Sequence, residues 1–186
     1  MHISPKPIHE YPWYVRIFFW KQKHTYGKTL DPGLLWGRSP WLFSTVAFLY
    51  GAINRRSSPL EPSLRSLLTV RVSQINHCTF CVDINANTLM KRGVSQEKVD
   101  RLSHWWKEQN LAHFTHKECL ALEYAEAMTW CDRDVDEELV GRLKQVFDDD
   151  SIVELTGLVA FQNLSSKFNA ALDIPAQGFC RIPPKT

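Results

Sequence analysis

Helix starts punctuate this 186-residue chain, and nothing in it reads convincingly as a β-strand. No Asn-Gly or Asp-Gly hairpin occurs, and no six-residue stretch alternates apolar with polar. Ser39-Pro40 is a cap followed by proline at the first helical position, opening a helix to about Tyr50 that stops at Gly51. After Pro62, residues Leu64, Leu67, Leu68, Val72 and Ile75 recur at helical spacing, with Ser63, Arg65, Thr69 and Ser73 mostly off that face. Val94-Ser95 with Val99 reads as a cap and hydrophobic staple, and Phe114-Thr115 with Glu118 as a capping box with its staple. Asp134 with Glu137 opens a helix expected to bury Val135, Leu139, Leu143, Val146 and Phe147. Asp148-Asp149-Asp150-Ser151 precedes an apolar-periodic segment from Ile152 to Leu172, its acids suited to the positive end of a helix dipole. The expected fold is all-α. Loops are expected after Asp31-Pro32-Gly33 and from Arg55 to Glu61, and an irregular tail after Asp173, with Pro175, Pro183 and Pro184.

The first residues differ from the rest. Pro5, Pro7 and Pro12 lead into the aromatic run Tyr11 to Trp20, an irregular arm and short helix expected to pack on the body or on a partner subunit. We divide the chain into residues 1–56, an aromatic-rich arm with helices packing on the core, and 57–186, a helical domain. With 44% hydrophobic and 23% charged residues the chain can bury a core and is not expected to be disordered. A net charge of +2 without any Lys/Arg run gives no argument for nucleic acid. No apolar run approaches the roughly 18 residues of a membrane span. The stretch Trp13 to Trp20 is broken by Arg16, lacks a cleavage site, and has too small a basic face for a membrane-surface anchor. No membrane partner is expected, and the location is expected to be cytoplasmic. Five cysteines, an odd number, agree with a reducing compartment.

In that setting Cys78-Thr79-Phe80-Cys81 carries the chemistry. The helix ending near Ile75 leads straight to it, and Asn76 is a plausible cap for a next helix running to Arg92 and stopping at Gly93. Thiols at i and i+3 share a helix face at a Cα separation of about 5–6 Å, within the range a disulfide needs. The free N–H groups of a first turn favour thiolate over thiol, so the pKa is expected below the free value of about 8.5. A pair so placed is suited to cycle between dithiol and disulfide. Cys81 shares its face with Ile84, Asn85, Thr88 and Leu89 and is expected to point inward, with Cys78 nearer solvent.

Leu67 to Asp83, containing Val72-Ser73-Gln74-Ile75-Asn76-His77-Cys78-Thr79-Phe80-Cys81-Val82-Asp83, resembles a stretch of the alkylhydroperoxidase D / carboxymuconolactone decarboxylase family. The likeness continues through Ala121 to Ala127, Ile152 to Thr156, Phe161-Gln162-Asn163 and Phe168-Asn169, covering about Leu60 to Leu172. It implies an all-helical fold, homo-oligomers with the redox site near a subunit contact, and a peroxide-reducing activity. Cys81 would be the attacking thiol and Cys78 the resolving one, with an external dithiol or dithiol protein as reductant. No further cofactor and no metal is implied. The family's peroxidases carry a histidine four residues after the second cysteine, where this chain has Asn85. They carry a glutamate on the preceding helix, where this chain has Ser66. Asparagine cannot titrate, although Asn85 can donate a hydrogen bond to a Cys81 thiolate. His77, beside Cys78, is the remaining candidate for lowering a thiol pKa.

Plainer readings stand beside these. A zinc half-site of His77, Cys78 and Cys81 lacks a second ligand pair. Cys119 and Cys131 read as inert core thiols, His104, His113 and His116 as a solvated helix junction, and Trp105-Trp106 as a core or subunit contact. Arg71, on a mostly apolar face, is expected in a buried ion pair. Lactone decarboxylation is not expected, because members with that activity do not depend on a Cys-x-x-Cys. The second functional reading is a non-catalytic or redox-responsive oligomeric protein that kept the fold and lost the Glu/His relay.

Overall fold

The structure, a computed structural model, describes residues 1–180. The last six, which include Pro183 and Pro184, lie outside the described residues. The described residues form ten α-helices, two short 3₁₀ turns and no strand.

Three helices precede the family-like segment: α1 (Trp13–Tyr26), α2 (Asp31–Gly37) and α3 (Pro40–Ile53). The aromatic run therefore opens a full 14-residue helix rather than a short one. Asp31-Pro32-Gly33 begins a helix where a loop was expected. Proline is compatible with a first helical turn. Gly33 and Gly37 serve close packing: a Cβ on Gly33 would meet the Gln22 Oε1 at 2.9 Å, and one on Gly37 the Phe19 ring at 3.1 Å. Helix α3 runs past Gly51 to Ile53, since nothing beyond the glycine forces a stop there. Its Ser39 N-cap makes no side-chain capping bond.

Helix α4 (Pro62–Ile75) lies at the centre, packed by α5 (Thr79–Lys91), α8 (His116–Ala127) and α10 (Asp149–Ala171). Being central it is buried on nearly every side. Arg65, Ser66, Arg71 and Ser73 are buried along with Leu67 and Leu68, so residues that lie off the apolar face, such as Arg65 and Ser73, are interior as well. A buried polar group needs a partner, and those partners build the site described below. Leu67, Leu68, Val70 and Val72 pack with Leu122, Leu155 and Val159 in the main core. Each such side chain contributes about 1.5–3 kcal/mol on full burial.

The smaller helices α6 (Gln96–Arg101), α7 (Glu108–Leu111) and α9 (Glu137–Leu143) close the periphery. Ser95 caps α6 as expected, and the Thr115–Glu118 capping box of α8 is complete in both directions. Helix α9 starts two residues late, capped by Asp136 rather than Asp134. Leu139, Leu143 and Phe147 are buried as expected, whereas Val135, left outside the helix, is exposed. Asp148 caps the 23-residue α10 through the Ser151 N–H at 2.7 Å.

The N-terminal layer has its own hydrophobic cluster, the rings of Tyr11, Phe19, Trp36 and Phe43 with Val15. Trp36 stacks on Phe168 of α10 with ring centroids 3.6 Å apart, which ties this layer to the body. Among the described residues no helix is long and apolar enough to cross a membrane.

Candidate active site

The turn between α4 and α5 is three residues long, and each has a distinct backbone task. Asn76 is the C-cap of α4, not the N-cap of α5 as expected, and its side chain is drawn to Asn163 Oδ1 and Ser166 Oγ, both at 2.8 Å. His77 takes the left-handed conformation (φ 54°) that reverses the chain, one that His adopts more readily than most residues. Cys78 is the N-cap of α5, its sulfur accepting the Cys81 N–H at 3.2 Å. The hairpin thereby sets the two sulfurs on one first turn. They are joined in a disulfide with a Cα separation of 5.2 Å.

The Cys81 side chain does point inward, but Cys78 is no nearer to solvent: the two are 3% and 1% exposed. Leu30 and Leu35 from the N-terminal layer and Ile174 from beyond α10 pack over the helix entrance. None of these covering residues is close in sequence to Cys78. The imidazole of His77 is exposed and does not line the cavity beside the cysteines.

Asn85 lies one turn beyond Cys81 but donates to Ser73 Oγ at 3.3 Å, not to the sulfur. Ser73 Oγ also accepts from Gln162 Nε2 at 2.9 Å and donates to the Thr69 carbonyl at 2.5 Å. The amide that reaches Cys81 is Asn169, from the last turns of α10, whose Nδ2 donates to Cys81 Sγ at 3.3 Å. Asn169 is 2% exposed, and its Oδ1 is buried without a hydrogen-bond partner. Asn169 has no local signal of its role, being 88 residues from Cys81. Only its place in the family-like segment pointed to it. Ser66 accepts from Arg92 Nη1 at 2.7 Å, so its hydroxyl faces a guanidinium.

A cavity of about 420 Å³ opens beside these groups, between the N-terminal layer and α4, α5 and α10. Cys81, Asn85 and Asn169 line it, and Cys78 does not. Its apolar wall is aromatic, including Phe18, Trp36, Phe43 and Phe161.

Arg71 forms the buried ion pair expected of it, with Nε 2.6 Å from Glu126 Oε1. Glu126 also accepts from Trp105 Nε1 at 2.8 Å and from Arg133 Nη1 at 2.9 Å. Trp105 is thus a core residue, while Trp106 is half exposed with the Arg71 guanidinium 5.1 Å from its ring centre. Cys119 is half-buried, and burial pushes its thiol pKa up, whereas Cys131 is exposed rather than in the core. Among the described residues no group of three or more His, Cys, Asp or Glu is placed to hold a metal ion.

Residues 41–127 match the carboxymuconolactone decarboxylase family. The chain is 42% identical to the uncharacterized protein YnjA of Escherichia coli (strain K12) over 179 residues, 96% of this chain and 97% of that one. It is 28% identical to the uncharacterized protein YdfG of Bacillus subtilis (strain 168) over 118 residues, 63% of this chain and 78% of that one. In three dimensions it resembles the alkylhydroperoxidase AhpD core of an uncharacterized peroxidase-related protein from Ralstonia eutropha JMP134. The TM-score is 0.85 at 17% identity, over 96% of this chain and 93% of that chain. The family match and a relative 42% identical over nearly the full length, together with an all-α, AhpD-like fold that sets a Cys-x-x-Cys pair at a helix start, lead to one conclusion: the chain belongs to the carboxymuconolactone decarboxylase family.

Proposed function

We propose that this protein is a thiol oxidoreductase that reduces peroxides through a reversible Cys78–Cys81 disulfide, with Cys81 as the attacking thiol. The observation that carries the reading is that Cys81, alone of the pair, lines the cavity while accepting a hydrogen bond from a buried amide. The Cys81 thiolate attacks the terminal oxygen of R–O–O–H. The O–O bond breaks, Cys81 becomes a sulfenic acid, and the alkoxide takes a proton from water. The Cys78 thiol then displaces hydroxide from that sulfur, giving the disulfide and water. An external dithiol or dithiol protein returns the pair to the reduced state by exchange.

Asn169 Nδ2 stabilises the thiolate by hydrogen bonding, as the first-turn N–H groups do. Asn169 Oδ1, unpartnered in its buried position, is an acceptor for the peroxide O–H. Nothing at Ser66 or Asn85 can move a proton. General acid–base help is worth about 10²–10⁴ in rate, so turnover is expected to be slower by about that factor than with a Glu/His relay. On this reading residues 57–186 carry the redox chemistry and residues 1–56 supply the opposite cavity wall, in the cytoplasm. Homo-oligomerisation is proposed through α3, whose outer face presents Trp41 and Phe48 at 86% and 82% exposure.

Ser66 and Asn85 also favour a second reading, a redox-responsive oligomeric protein without turnover. Peroxide consumption with dithiothreitol separates the two. Turnover that is lost in Cys81→Ser is expected. Turnover retained in that variant contradicts the mechanism. A negligible baseline that rises greatly in a Ser66→Glu/Asn85→His double variant supports the second reading.

A further inference from the structure

The cavity at Cys81 is charged in one sense only. The chain as a whole carries 22 Lys and Arg against 20 Asp and Glu. Yet the charged residues among the cavity's lining are Lys21, Arg65 and Arg92, with no acid. Arg65 is 4% exposed, and its Nη1 donates to the Ile53 and Arg55 carbonyls at 3.0 and 3.3 Å. Its Nε is buried with no hydrogen-bond partner. Arg92 is committed only to neutral acceptors, the Pro62 carbonyl and Ser66 Oγ. Neither Arg65 nor Arg92 forms an ion pair among the described residues. The nearby Glu154 is held by Arg55 through two hydrogen bonds of 2.5 and 3.0 Å. Burial presses the Arg65 pKa down and so does the neighbouring Arg92, while the Glu154 carboxylate, already held by Arg55, offsets only part of this. A buried guanidinium left unpaired is costly unless something compensates it.

The position of these cations relative to the sulfur limits what that compensation can be. Ser66, which Arg92 touches, lies seven residues before Ser73 on α4, a rise of about 10 Å. Ser73 is bonded to Asn85, one turn beyond Cys81. The cationic end is therefore about 10 Å along α4 from the Ser73–Asn85 contact, which is itself one helical turn from Cys81. Hydrogen peroxide reaches only one of the two ends. At about 420 Å³ the cavity falls in the range of small-molecule sites, which are mostly apolar with a few placed polar groups.

Building on the thiol-peroxidase reading, we infer that the cavity takes a hydroperoxide of an apolar organic acid, with its carboxylate between Arg65 and Arg92 and its hydroperoxide at Cys81. The carboxylate supplies the missing anion to both guanidinium groups and fixes the long axis of the substrate. The aromatic wall holds the hydrocarbon body. Substrate choice then comes from the cationic end, while the chemistry at sulfur remains that of any thiol peroxidase.

Dodecanoate and dodecanol, neither of which reacts with thiols, test the site apart from the chemistry. The readout is protection of Cys81 from iodoacetamide in the reduced protein, followed by mass spectrometry. Dodecanoate is expected to protect at a concentration about ten- to a hundredfold below that of dodecanol. Arg92→Gln is expected to abolish that preference, and Arg92→Lys to restore part of it, with thermal unfolding checking that each variant is folded. Equal protection by acid and alcohol, or none by either, overturns the inference in the parent protein without any variant. Acid-selective protection without turnover of any hydroperoxide overturns the peroxidase reading and keeps the acid site. Turnover of cumene hydroperoxide and of a fatty-acid hydroperoxide at equal KM, with no protection, keeps the peroxidase reading and overturns the acid site.

Discussion

Helix α4 has two polar flanks, both largely buried and oppositely organised. Toward α8, Arg71 meets Glu126, and Trp105 and Arg133 complete the carboxylate's partners at 2.6–2.9 Å. Toward α5 and α10, Ser66 and Thr69 face a cavity, Ser73 behind them bonds the amides of Asn85 and Gln162, and the flank ends at a sulfur beside an unpartnered Asn169 Oδ1. The first flank has opposite charges and satisfied acceptors, and nothing in it is left to react. The second keeps an open acceptor, two guanidinium groups that form no ion pair among the described residues, and the Cys78–Cys81 disulfide. Burial alone does not separate structural polar groups from reactive ones. The difference lies in whether every valence is already answered within the fold.

Substitutions on the two flanks should therefore fail in different ways. The largest effect on stability is expected from Glu126→Ala, which leaves two guanidinium groups without their carboxylate at a cost of about 3–5 kcal/mol. Denaturant unfolding reads that loss. Turnover per folded molecule is expected to stay within about twofold, and a large loss of turnover would merge the two flanks.

The converse is expected of Asn169→Leu. Removing a hydrogen bond to a charged sulfur is worth about 1.5–3 kcal/mol, a fall of about ten- to a hundredfold in the rate of Cys81 oxidation. The pH midpoint of Cys81 alkylation should rise in the same variant. Global stability should change by no more than about 1 kcal/mol, because the replacement also removes a buried acceptor that had no partner. Unfolding as severe as that of the Glu126 variant would show that Asn169 serves only to hold the fold.

A smaller effect, and one with a pH signature, is expected at the edge of the cationic end. The hydrogen bond from Arg55 holds the Glu154 carboxyl below its ordinary pKa near 4.5. A depressed carboxylate contributes stability above its unfolded pKa and loses that contribution as pH falls through the folded value. Glu154→Gln should therefore be slightly less stable than the parent at neutral pH, and the gap should close on acidification below about pH 4. The pair is partly exposed and its contribution correspondingly small. A gap that widened with acid would mean that Glu154 is not paired in solution.

The same contrast decides how much could be read from the chain. The Thr115–Glu118 capping box and the Arg71 ion pair were legible because each is marked locally, by a cap spacing or by a charge among apolar neighbours. So was the cysteine pair, from its spacing and its Val-Ser-Gln-x-Asn context. The environment of the pair was not. Asn85 looked like its partner because it lies one turn away, yet Ser73 takes its amide. Asn169 and the cover over Cys78 come from segments distant in sequence, so no periodicity could reveal them. Helix α2 was hidden because Pro-Gly is a turn signal in isolation, while the packing of Gln22 and Phe19 against Gly33 and Gly37 favours helix. Arg65 and Ser73 read as lying off the buried face of α4, yet both are buried, because a helix enclosed on several sides has no polar face to show.

The assignment of attack to Cys81 can be tested by trapping its first product. Reduced Cys78→Ser protein is mixed with one equivalent of organic hydroperoxide and dimedone, and the peptides are analysed by mass spectrometry. A dimedone adduct on Cys81, formed in proportion to peroxide consumed, is the expected result. An adduct on Cys78 in the reciprocal Cys81→Ser protein, with none on Cys81 in the first, would contradict it.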